Sequence, residues 1–168
     1  MPGRPHLILT ARGLGRVARG LVVCTPLLLA GCGGPPEISA PPAADLATCT
    51  TLAEALPERL ADLDPVAYEP ADAPGGAWGD PAITLSCGTQ PPAEFGPASS
   101  CIDADGVDWF GPDDQVDGTG DVDLTSVTLV PHVTLHVPKT YRGGTLAAAL
   151  TDLAAPLKAT LTPDSKCL

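Results

Sequence analysis

Two short stretches decide the fold: Ile83-Thr84-Leu85-Ser86-Cys87 and His132-Val133-Thr134-Leu135-His136-Val137. In each, apolar residues alternate with hydroxylic or imidazole side chains. A period of two is the repeat of a pleated strand with one buried face, so Ile83, Leu85 and Cys87 point inward together, as do Val133, Leu135 and Val137. A further strand is predicted over Val122 to Val127. Cys101 to Phe110 reads as a small hairpin turning at Asp105-Gly106, a dipeptide suited to a type I′ turn, with Val107 and Trp109 facing inward.

Helical patterns flank these strands. Cys49, Leu52, Leu56 and Leu60 recur at spacings of three and four, and Pro57 must bend or end that helix. Leu146, Leu150, Leu153 and Leu157 form a second apolar stripe, with Thr145 as its N-cap and Pro156 straining its final turn. Asp64-Pro65 through Pro74-Gly75-Gly76 is loop by composition, as is Gly88 to Ser100. The expected fold class is α+β, a small antiparallel sheet of four to five strands packed with an N-terminal and a C-terminal helix. Residues 45–168 form that single domain.

The chain's first 31 residues are a targeting segment rather than part of the fold. Arg4, Arg12, Arg16 and Arg19 stand in a stretch without acidic residues, and the apolar run Leu21 to Ala30 follows. That run contains Pro26 and is about half the ~20 residues a bilayer-spanning helix requires. It ends Leu29-Ala30-Gly31-Cys32, which resembles the lipobox of bacterial lipoproteins. The resemblance implies diacylglycerol on the Cys32 thiol and cleavage before it. Each buried methylene contributes ~0.8 kcal/mol, so two acyl chains hold a protein stably where one does not. An ordinary secretory peptide with a chance cysteine is the plainer alternative. Residues 32–44 then form a lipidated cysteine and a Pro-rich linker, GGPPEISAPPAA, expected to be extended and to lift the domain from the outer face of the cytoplasmic membrane.

With the four leader arginines removed, five basic residues face 20 acidic ones, a formal charge of −15. Such a surface repels phosphate backbones, so no nucleic-acid partner is expected. The expected partners are the membrane, through the Cys32 lipid, and an envelope protein or wall component. Cys24 leaves with the leader and Cys32 is consumed by lipid, which leaves Cys49, Cys87, Cys101 and Cys167. Four exported cysteines imply two disulfides with three open connectivities. Cys49 and Cys87 both lie on inward faces and are the preferred pair, leaving Cys101 with Cys167.

Little in the sequence carries chemistry, and no catalytic residue, metal ligand or cofactor is assigned. No two of the four cysteines are close enough for zinc-ligand spacing. His132 and His136 are four apart, but on a strand that separates them by ~13 Å, so solvated or loop-facing histidines are expected. Asp113 to Asp123 partly mimics a calcium loop, with Gly118 at position six; Leu124 replaces the bidentate carboxylate at position twelve, and a plain acidic hairpin loop is the expectation. Trp78 and Asp80 form a candidate ligand corner, since an exposed indole beside a carboxylate suits sugars or cations. The favoured reading makes Trp78-Gly79-Asp80-Pro81 architectural, with Trp78 over the core.

The chain resembles a family of uncharacterised exported lipoproteins of actinobacteria, the domain of unknown function 3515. The resemblance is carried by Cys49 with Leu56-Pro57, by Ala77-Trp78-Gly79-Asp80-Pro81-Ala82-Ile83 with Leu85 and Cys87-Gly88, by Gly106-Val107-Asp108-Trp109, and by Val137-Pro138 with Tyr141. It implies a bond between Cys49 and Cys87; Cys101 and Cys167 lie outside the shared pattern. It implies no activity. The expected function is a non-enzymatic interaction module of the cell envelope. A small-ligand binder using the Trp78 corner or the 113–123 loop is the alternative, and a hydrolase built around His132 or His136 is third.

Overall fold

The computed structural model describes residues 34–164 and Cys167. The leader and Cys32 lie outside the described residues. The elements run α1 (Leu46–Ala55), β1 (Gly75–Trp78), β2 (Ile83–Thr89), β3 (Ile102–Ala104), β4 (Val107–Phe110), α2 (Asp113–Val116), β5 (Val122–Ser126), β6 (Leu129–Val130), β7 (His132–Val137), α3 (Gly144–Thr160) and β8 (Thr162–Pro163). A single turn of 3₁₀ helix, Lys139–Tyr141, separates β7 from α3.

The fold is α+β. Six strands form one antiparallel sheet in the order β1-β2-β7-β5-β4-β3, and β6 pairs with β8 beside it. The alternation read from the sequence is realised in the central strands. Ile83, Leu85, Val133, Leu135 and Val137 are each fully buried, as are Val107 and Trp109 on β4. Asp105 and Gly106 both take positive φ (49° and 80°), the geometry a type I′ turn demands. Helix α1 packs against β1, β2 and α3, and α3 against β3 and β4, so both helices cover the same face.

The sheet has one strand more than the four to five expected. The addition is β1, whose Gly75-Gly76 start reads as a turn by composition. Both glycines are there for space: a Cβ on Gly75 would sit 2.3 Å from the Leu85 carbonyl oxygen, and one on Gly76 would sit 2.2 Å from the Trp78 ring. The first helix stops at Ala55, two residues before Pro57; Leu60 is still fully buried, but as part of an isolated bridge to Leu63. The second helix starts at Gly144, with Gly143 and not Thr145 at the cap, and continues through Pro156 to Thr160.

The Pro-rich segment departs most from expectation. From Pro36 onward it belongs to the fold. The Ile38 amide donates to the Glu69 carbonyl and the Glu69 amide to the Pro36 carbonyl, both at 2.9 Å, and the Ser39 amide donates to Ser86 Oγ at 3.0 Å. Ile38 is buried against Gly75, and Pro41 lies against Gly88. Only residues 33–35 separate Cys32 from the first docked residue, so the spacer reading of 33–44 is corrected to a strap. Composition misled because this strap is held by backbone hydrogen bonds and one apolar side chain, neither of which leaves a periodic pattern.

Two disulfides tie the layers. Cys49 of α1 is bonded to Cys87 of β2, with Cα atoms 5.6 Å apart, and Cys101 is bonded to Cys167, with Cα atoms 6.0 Å apart.

Candidate functional site

The alternation that buries one face of the sheet leaves the other face polar. Register aligns its side chains in rows. Thr84, His136 and Asp123 lie across β2, β7 and β5 in one row, and Ser86, Thr134 and Thr125 in the next. Phe110 extends the second row and carries Phe95 on it, with ring centroids 5.3 Å apart. Above the rows is an open groove of about 800 Å³. The strap forms one wall through Pro36, Glu37 and Ser39, while Pro81-Ala82 and Pro138 to Thr140 contribute to the rest.

Three threonines on the floor satisfy one another. The Thr134 hydroxyl donates to Thr89 Oγ1 at 2.9 Å, and Thr89 Oγ1 donates to the His132 carbonyl at 3.4 Å. Thr125 Oγ1 is 3.0 Å from Thr134 Oγ1 and is the donor there, because Thr134 has spent its one proton. That chain is structural. Thr84 differs: it is only 7% exposed, it lines the groove, and no hydrogen bond engages its hydroxyl among the described residues. Ser86 uses an oxygen lone pair on Ser39 and keeps its proton.

His136 and Asp123 form the groove's ionisable pair, with Nδ1 2.7 Å from Oδ1. A carboxylate only accepts, so Nδ1 carries the proton and Nε2 is left for other contacts. The hydrogen bond to Asp123 raises the His136 pKa above its ordinary value; burial opposes this, and the charges of Asp123 and Asp121 reinforce it. Both histidines lie half-buried on the polar sheet face, with the His136 side chain 41% exposed, so they are partly solvated as expected but face the groove side of a strand rather than a loop. His132 Nδ1 lies 3.0 Å from the Ser126 carbonyl oxygen, outside this row.

The other sequence candidates have structural employment. Trp78 is 3% exposed, with its ring lying across Gly76, so it is part of the core and offers no stacking surface. Asp80 is exposed, and the Tyr141 hydroxyl accepts from its amide at 3.2 Å. The Trp78–Asp80 ligand corner is therefore corrected to a chain turn. In the acidic loop, Arg142 donates to the carbonyls of Gln115 (2.8 Å), Gly120 (3.1 Å) and Val116, while the Gln115 side chain accepts from the Asp123 amide. A guanidinium thus takes three carbonyls of the loop, and the side chain at position three of the calcium pattern, Gln115, is taken by a backbone amide. Among the described residues no three His, Cys, Asp or Glu side chains are grouped to hold a metal, and no helix is long and apolar enough to cross a membrane.

The fold and groove define a disulfide-bonded α+β module of the kind made in an oxidising compartment outside the cytoplasm. The chain belongs to the family of proteins of unknown function DUF3515, whose profile matches residues 34–165. That match includes the strap. No curated protein and no solved structure matches the chain.

The sequence alone did not single out this groove. Its only advance signal was the hydroxyl and imidazole identity of the outward positions on β2 and β7.

Proposed function

We propose that the protein is a lipoprotein of the cell envelope, anchored by lipid on Cys32 at the outer face of the cytoplasmic membrane, which binds an envelope component through the groove without catalysis. The observation that carries this reading is the strap. Pro36, four residues beyond Cys32, is docked on the domain and walls the groove. Four residues span at most about 14 Å, so an acyl chain on Cys32 would hold the groove beside the headgroups. Two disulfides and the formal charge of −15 suit an exported module that keeps clear of anionic headgroups except at its lipid.

Two readouts test it. Labelled palmitate enters the wild-type protein and not Cys32→Ser, which is recovered in the culture supernatant. A photocrosslinking residue at the exposed rim position Thr140, used in intact cells, captures a discrete envelope component. Palmitate-free protein in the membrane fraction would remove the anchor, and absence of any crosslink would remove the groove's role.

The Asp123–His136 geometry supports a second reading. Thr84 stands opposite His136 in the strand register and Asp123 orients the imidazole, so a hydrolase would need the Thr84 hydroxyl to close on Nε2. That reading requires turnover of an ester or amide that His136→Gln abolishes.

A further inference from the structure

We infer that the groove binds an uncharged oligosaccharide, with the Thr84 and Ser86 hydroxyls, His136 Nε2 and the free carboxylate oxygens of Asp121 and Asp123 as its polar contacts. This rests on the reading of the domain as an envelope-binding module and names the chemistry of what it binds.

The groups left unspent on the groove decide the ligand. Thr84 is more than nine-tenths buried, lines the groove and has no partner among the described residues. A hydroxyl that reaches the groove without a protein partner is open to a ligand or water. The Ser86 proton is also unspent, because its oxygen accepts from Ser39. Acceptors stand beside these donors. Asp123 gives one oxygen to His136 and Asp121 gives one to the Lys139 amide at 2.8 Å, so each keeps a second oxygen for a ligand. A cationic ligand would want acceptors alone and an anionic one donors alone. Donors and acceptors interleaved within one row of strands match groups that both give and receive a proton, and a sugar carries such hydroxyls on every ring.

Shape and charge agree. The walls carry the rings of Pro36 and Pro81, which present C–H surface suited to the apolar face of a pyranose. The groove is open to solvent, and its volume of about 800 Å³ lies within the range of small-ligand sites. The acidic surface weighs against polyanions.

The test is calorimetric titration of the mature lipoprotein in detergent micelles with chitotriose, with maltotriose, and with tetralysine as the cationic control. Saturable binding of at least one trisaccharide at about millimolar affinity or tighter is expected, with no binding of tetralysine. Thr84→Val, which keeps the shape and removes the hydroxyl, is expected to weaken it at least about tenfold with an unchanged melting midpoint. If Thr84→Val lowers the midpoint, His136→Gln at the half-exposed neighbour serves instead and is expected to give the same loss. Three results overturn the inference: no saturable binding of either trisaccharide, binding indifferent to both variants, or tetralysine binding in place of the sugars. Any of these with crosslinking through Thr140 intact removes the sugar and leaves the module; loss of the crosslink as well removes the module too.

Discussion

Replacing Cys49 and Cys87 together by alanine separates chain entropy from native packing as sources of stability. The bond closes a loop with a sequence separation of 38. On the chain-entropy relation a crosslink of that span is worth about 4 kcal/mol at 25 °C. Cys101–Cys167 spans 66 residues, and the same relation gives it about 0.5 kcal/mol more. The structure reverses that order. Cys49 and Cys87 are 0% and 1% exposed and join α1 to β2 within the core cluster. Cys101 and Cys167 are half-buried, and their bond fastens the chain end beyond β8. Without it the chain end gains freedom in the folded state as well as the unfolded one, which cancels part of the effect. An unfolding entropy of about 2.1 cal/mol/K per residue over roughly 130 residues converts 4 kcal/mol into a fall of about 15 °C in Tm. Melts followed by circular dichroism should show that fall for C49A/C87A and clearly less for C101A/C167A. An equal or larger fall for the second pair would refute the assignment of the first as the structural crosslink.

Two further outcomes follow from the polar contacts. Arg142→Ala leaves three loop carbonyls without their donor and is expected to cost roughly 2 kcal/mol, read by denaturant titration, while millimolar calcium leaves the wild-type melting midpoint unchanged. The raised pKa of His136 means that its ion pair contributes fully below the unfolded-state value, near 6.5, and that the contribution is lost as pH rises through the folded-state value. Asp123→Asn should therefore lower the His136 pKa in an NMR titration and destabilise the protein on the acid side only; an unmoved pKa would contradict the pairing.

The buried half of the sheet was legible and the polar half was not. Ile83, Leu85, Val133, Leu135 and Val137 announce themselves because water exclusion imposes a period of two on the residues that meet the core. The Asp105-Gly106 turn announces itself because few dipeptides accept two positive φ angles. Asp123 and His136 are 13 residues apart and meet only through the β5–β7 register, which the outward residues do not encode. Arg142 looks like any surface arginine until the loop folds around it. The strap was hidden by its prolines: they suit an exposed extended linker and an extended segment lying on a sheet equally well, and a buried Ile38 among them is too small a signal to choose.

The groove has its wall, and the proposed anchor its closeness to the groove, only if Pro36 to Ser39 are part of the domain. Hydrogen exchange on the mature lipoprotein measures this directly at the amides of Ile38, Ser39 and Glu69. Protection of Ile38 and Glu69 comparable to the sheet amides, with intermediate protection of Ser39, is the predicted result. Exchange of all three at the rate of an unstructured peptide would contradict it.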